Sequence, residues 1–181
     1  QAGAGTSHNM NSNEVIANVA NVALGGARGT YAPVNPNDHV NMGQSTNDTI
    51  PTAIRLTCLA KLPRLLRSVN DMAAALEDIA LRERDTVKIG RTHLQDAVPT
   101  TIGREFSAYA WTLRRAAGNL AAVRGPLCAI GLGGSAAGTG LNTAPEYPER
   151  VAAELARLTG EPIAASDMTA QMQSMLDLQQ L

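Results

Sequence analysis

Residues 90–99 read Gly-Arg-Thr-His-Leu-Gln-Asp-Ala-Val-Pro, and positions 92 to 96 alone carry a hydroxyl, an imidazole, an amide and a carboxylate. A plain connector is built mainly from Gly, Ser, Asn and Pro, whose backbone preferences make turns. This stretch is richer in groups that bind or move protons. Its imidazole titrates near neutrality and can hydrogen-bond in either protonation state. Two further stretches are equally polar: Gly3 to Asn13 (GAGTSHNMNSN) and Asn35 to Asn47 (NPNDHVNMGQSTN). Together the three supply small neutral donors at Thr6, Ser7, Ser45, Thr46, Asn47 and Thr92. Hydroxyl and amide donors of this kind can surround carboxylate oxygens, so the set suits a small anionic substrate. Phosphate fits less well. There is no Walker-type glycine loop, and the glycine-rich run at 131–140 (GLGGSAAGTG) does not follow a strand-like segment.

Other chemistries are poorer matches. A hydrolytic metal centre would have to draw on His8, His39, His93, Asp38 and Asp96. The spacing His93-x-x-Asp96 lacks the i, i+4 pairing of helix-borne zinc ligands, and no second histidine pair exists. No metal and no cofactor is expected, and His8 and His39 are read as structural. Ser45 to Asp48 also has the form of a helix start, so capping is the competing reading for Asn47 and Asp48.

The elements that must position these groups are mostly helices. Residues 12–24 predict a helix with Ser12 or Asn13 as N-cap and Gly25-Gly26 as its stop. Residues 26–50 read as loop, and Pro51 suits a first helical turn. Ile54, Leu59, Leu62, Leu66, Val69, Met72, Leu76 and Ile79 then step by three to five along one helical face to about Arg84. Such a helix is roughly 50 Å long. A second long helix is expected from Thr100 or Thr101, its stripe running from Ile102 through Phe106, Tyr109, Leu113, Leu120, Val123 and Leu127 to Ile130. The run 131–140 breaks it, its glycines read as tight backbone contacts. A shorter helix covers 146–159, ended by Gly160, and a last one covers 167–181. The apolar stripes are expected to form the core.

Composition agrees with a folded domain. The 181 residues are 44% hydrophobic and 17% charged, with formal net charge −1. That is neither disordered nor nucleic-acid-like. Aromatics make up only 3%, so the core must be aliphatic. No run of about 18 apolar residues exists, so no membrane span is expected. Cys58 and Cys128 lie far apart in helix-like segments and read as reduced, buried thiols of a cytoplasmic protein.

Four blocks, GTSHNMNSNEVIAN, NPNDHVNMGQSTNDTIPTA, GRTHLQDAVP and GSAAGTGLN, occur here in one order. Together they resemble the fumarase/aspartase superfamily of lyases. The resemblance implies an all-α fold built on a long-helix bundle, with residues 1–45 as the end of an N-terminal domain and 46–181 as part of the central domain. It implies a homotetramer whose active sites form where three subunits meet, with no nucleic-acid or membrane partner. It also implies that a mobile base-bearing loop follows Leu181, so the isolated 181 residues are expected to be inactive; a non-catalytic helical scaffold is the remaining alternative.

The implied reaction is an anti elimination from a succinate-like dicarboxylate. A base removes the proton beside a carboxylate, which then carries the charge as an aci-anion. Preorganised donors must hold that anion, each contributing about 3 kcal/mol. By resemblance Thr6, Ser45 and Thr46 hold this carboxylate, while Asn47, Thr92 and His93 lie on the leaving-group side, with Thr92 and His93 as the catalytic pair. Thr92 and His93 are expected to face the cleft, and Arg91, Gln95 and Asp96 to anchor the corner to neighbouring helices and subunits. Ala4, Asn35 and Thr46 resemble the aspartate ammonia-lyases, which implies release of ammonia from L-aspartate to give fumarate. The alternative is fumarate hydratase chemistry, toward which TIPTA and GLGGSAAGTGLN lean.

Overall fold

A computed structural model of the chain describes Gly3 and Gly5–Leu181. The chain divides into two compact units, Gln1–Cys58 with Gly125–Gln179, and Leu59–Arg124 with Gln180–Leu181.

In the first unit, helix α1 spans Thr6–Ala23. It starts six residues before the expected N-cap. Ser12 and Asn13 are interior, and the Ser12 hydroxyl donates back to the His8 carbonyl at 3.0 Å. The buried face of α1 is polar: Asn9, Asn13, Ala17 and Asn21 recur every four residues. Asn9 and Asn13 donate to Asn41 Oδ1 at 3.3 and 2.9 Å. Asn21 takes the Val34 backbone with both ends, donating to its carbonyl at 2.9 Å and accepting from its N–H at 2.7 Å. A buried amide left unpaired costs about 1–3 kcal/mol, so this asparagine ladder ties the irregular chain at 34–41 to the helix. Val15, Ile16, Val19 and Val22 are exposed. Gly25, with φ +83, and Gly26, whose N–H reaches the Asn21 carbonyl at 2.8 Å, stop the helix as expected.

The expected loop contains a short π-helix, Pro36–Val40. Asn35 caps it, its side chain accepting from the N–H groups of Asn37 and Asp38 at 2.8 and 3.1 Å. His39 Nδ1 accepts from the Asn35 N–H at 2.8 Å, a structural role. His8 is exposed.

Helix α2 runs Thr46–Arg82, 37 residues and so about 55 Å. It begins five residues before Pro51, because Ser45 and Asp48 start it as a capping box (below). Farther on come the short helix α4 (Arg124–Leu127), a strand β3 (Ala129–Ile130), helix α5 (Tyr147–Thr159), a strand β4 (Ala164–Ala165) parallel to β3, and helix α6 (Met168–Gln173). Gly160 ends α5 at φ +72, as expected. Leu127, Ile130, Leu132, Ala152 and Ile163 are buried aliphatic residues of this unit, as is Ala17 of α1. Cys128 is buried and Cys58 only half-buried, and neither is in a disulfide.

The last segment is not one helix to 181. It leaves helical geometry at Ser174, and a 3-10 turn follows at Leu178–Gln180. Arg55 explains the break. Its guanidinium, 1% exposed, takes the carbonyls of Gln171 and Ser174, each at 2.8 Å, and the carboxylate of Asp177 at 2.6 Å. A helix continuing through 174 would keep those carbonyls for itself.

In the second unit the stretch 90–99 is no bare corner. It belongs to a hairpin, β1 (Val87–Thr92) and β2 (Gln95–Thr101), followed by helix α3 (Ile102–Ala122). The second long helix therefore ends well before the expected Ile130, just ahead of Gly125-Pro126. The later part of α2 and α3 run antiparallel. A Cβ on Gly103 would fall 2.6 Å from the Ala80 carbonyl oxygen, and Arg114 bonds Glu77 and Asn70. Leu59, Leu62, Ala73, Ala110, Ala117 and Val123 are buried, but Met72 and Tyr109 of the expected stripes are exposed, as is Ile54 in the first unit.

Candidate active site

Ser45 N-caps α2. Its hydroxyl accepts from the Asn47 N–H at 3.2 Å, while Asp48 Oδ1 accepts from the Ser45 N–H at 3.0 Å. This reciprocal S-x-x-D arrangement satisfies two donors that a helix start leaves open. Asp48 is fully buried, and its other oxygen accepts from the N–H groups of Gly133 and Ser135 at 3.1 and 2.9 Å. The carboxylate thus joins the start of α2 to the glycine-rich loop. That loop can approach only because it lacks side chains. A Cβ on Gly133 would fall 2.7 Å from Pro148, and one on Gly138 2.6 Å from the Thr169 Cα, and both glycines have positive φ. The expectation of tight backbone contacts is met.

Asn47 is exposed, and its Nδ2 donates to the Ala136 carbonyl at 2.8 Å. A pocket of about 310 Å³ opens here, lined by Thr46, Asn47, Ile50, Pro51 and, opposite them, Ala136, Ala137, Met172 and Gln173. Among the described residues the hydroxyls of Thr6 and Thr46 have no hydrogen-bond partner. A Cβ on Gly5 would fall 2.6 Å from Ile50 Cγ1, so the start of α1, with Thr6, lies on the first turns of α2. The structure therefore brings Thr6, Ser45, Thr46 and Asn47 together at two helix N-termini, whose open N–H groups favour an anion. Ala4 lies outside the described residues. Burial pushes the Tyr147 hydroxyl above its ordinary pKa, and the Asp48 charge adds to the effect.

Thr92 and His93 belong to the other unit. Thr92 pairs with Gln95, and His93-Leu94 form the two-residue turn with φ +48 and +59. This is the backbone of a type I′ turn, usually filled by Asn-Gly. Holding two ordinary side chains there costs on the order of 1 kcal/mol or more each. His93 is exposed, and Leu94 is 93% exposed. Arg91 and Asp96 pair across the hairpin at 3.6 Å, so these two bond each other within it. Among the described residues no three His, Cys, Asp or Glu side chains converge as metal ligands. Among the described residues no helix is long and apolar enough to cross a membrane.

The lyase family model matches residues 1–178. A fumarate hydratase class II of Methylorubrum extorquens is 48% identical over 92% of this chain. The chain belongs to the fumarase/aspartase superfamily of lyases. An aspartate ammonia-lyase of Bacillus subtilis is 46% identical, also over 92% of the chain. Several further superfamily relatives carry the hydratase name. Among solved structures, a Brucella melitensis protein described as a fumarate lyase:delta crystallin, bound to cobalt, superposes with a TM-score of 0.92 at 43% identity, covering 98% of this chain and 39% of that one. The chain spans 36% of the length of the Methylorubrum relative and 35% of the Bacillus one. The helical fold expected from the motifs is the architecture found, with two small two-stranded sheets added among the described residues.

Proposed function

We propose that the whole protein catalyses reversible anti elimination on a four-carbon dicarboxylate, giving fumarate. In this reading Thr6, Ser45 and Thr46 donate to the carboxylate that becomes the aci-anion. Asn47, Thr92 and His93 stand on the leaving-group side. The supporting observation is the clustering of Thr6, Ser45, Thr46 and Asn47 at two helix N-termini beside one pocket, with two hydroxyls unengaged. The assembly is a homotetramer, and residues 1–45 and 46–181 belong to its N-terminal and central domains.

Water is the leaving group in the first reading, because most of the similar relatives are named as hydratases. Ammonia, the first expectation from the motifs, becomes the second reading. It keeps the support of the Bacillus relative and of Asn35, a residue that resembles the aspartate ammonia-lyases. The test follows malate formation from fumarate and ammonia release from aspartate on one preparation of the full-length protein. Ammonia release dominating reverses the order of the two readings. His93→Ala should abolish most turnover with the fold intact, and Thr46→Ala should cost roughly 10²–10³ in rate. No turnover of either substrate by the wild type would reject the lyase reading.

A further inference from the structure

Asp48 has no place in the chemistry above, yet it is fully buried and its carboxylate accepts from four groups. Two belong to its own helix start: the Ser45 N–H at 3.0 Å and the Thr49 hydroxyl at 3.2 Å. The other two, from Gly133 and Ser135, lie more than eighty residues away in sequence. A capping carboxylate needs only the first pair. The second pair fixes the loop, and the residue after Ser135 offers its carbonyl to Asn47 Nδ2 at 2.8 Å. A carbonyl oxygen accepts and cannot donate, so it selects the amide nitrogen of Asn47. The side-chain oxygen of Asn47 is left as the acceptor available to the pocket.

We propose that Asp48 is a positioning residue: through Gly133, Ser135 and the Ala136 carbonyl it orients Asn47 to present an acceptor to the substrate. An acceptor at that place matches a leaving group that still carries hydrogen, an ammonium or a water, and repels a bare carboxylate. The proposal rests, for its kinetic part, on the lyase reading.

Two substitutions separate the loop function from the cap function. Asp48→Glu keeps an anion in the capping box, where Glu is the commoner residue, but displaces its oxygens from the loop by one methylene. Asp48→Asn removes one acceptor oxygen and adds a donor facing donors. Hydrogen exchange of the full-length protein is the first measurement. Both variants should speed exchange at 131–137 at least tenfold, whereas Asn47→Ala should leave that segment protected, because Asp48 holds the loop and Asn47 only reads it. Turnover is the second. Each Asp48 variant should lower kcat about 10- to 100-fold with KM changed less than threefold, the scale of a roughly 1 Å misplacement. In an Asn47→Ala background the same changes should cost less than threefold more, since the group they position is gone. Equal cost in both backgrounds, or an unchanged loop in the variants, overturns the proposal. If Asp48→Asn does not fold, Asp48→Glu alone carries both measurements. A wild type without turnover rejects the lyase reading, while loop exchange still decides whether Asp48 holds the segment that fixes Asn47.

Discussion

At the scale of single residues, the buried charge on Arg55 is the group with most at stake. With the guanidinium 1% and the Asp177 side chain 9% exposed, neither partner has water as a substitute. Removing one member of a buried pair strands the other, at about 3–5 kcal/mol. Asp177→Ala should therefore lower the urea midpoint sharply. Arg157→Ala, which breaks an exposed, solvent-screened pair with Glu154, should leave the midpoint nearly unchanged. Similar shifts for the two variants would contradict this account of the C-terminal segment. Tyr147 gives a pH-dependent counterpart. Its hydroxyl ionises above the ordinary 10.0 because it is half-buried near the Asp48 carboxylate. The folded state thus favours the neutral phenol. Its contribution is complete below the unfolded pKa and is lost as pH rises through the higher folded value. Tyr147→Phe should flatten the alkaline fall in stability relative to wild type, read from denaturant midpoints on either side of pH 10. An unchanged alkaline limb would mean the phenol is no better shielded folded than unfolded.

At the scale of elements, two glycines make opposite predictions. Gly118 sits inside α3 with nothing within 4 Å of the place a Cβ would take, whereas Gly138 has φ +86 and a Cβ there would fall 2.6 Å from backbone. Gly118→Ala should stabilise by about 0.5–1 kcal/mol through helix propensity. Gly138→Ala should destabilise by about 2 kcal/mol or more, because both conformation and space oppose it. Thermal unfolding of the two variants should therefore move in opposite directions. The glycine stop after α1, the Gly160 cap and the tight 131–140 loop were legible because glycine leaves a backbone signature in sequence. The start of α1 was not. Its buried face is mostly asparagine, so no apolar stripe marks its first turns, and Ser12 or Asn13 read as the cap instead. The hairpin was hidden for a related reason. Its turn is His-Leu where pattern expects Asn-Gly, and its strands are mostly exposed, with no buried face to mark them. Of the candidate site, Ser45, Thr46 and Asn47 announced themselves by type. Asp48 was visible only as a cap, and Met172 and Gln173 carry no local signal, because it is the Arg55 anchor that brings their segment to the pocket.

At the scale of the whole molecule, the apolar surface sets the behaviour of the chain in solution. Val15, Ile16, Val19 and Val22 lie within eight positions of one helix, three of them lining a groove of about 490 Å³ with Asn11, Glu14, Asn18 and Arg28. Trp111 and Leu81 line another, of about 790 Å³, in the second unit. Soluble monomers rarely expose apolar patches beyond a few hundred Å². Water leaves such surfaces at about 25 cal/mol per Å², so covering even 400 Å² would favour association by about 10 kcal/mol before the entropic cost of joining two bodies. The chain should self-associate at micromolar concentration, and Val19→Lys with Trp111→Lys should weaken that association without unfolding the chain, since both side chains are exposed. Sedimentation velocity with hydrophobic-dye binding is the measurement. Wild-type chain that sediments as a compact monomer and binds no dye would show that these faces need no cover.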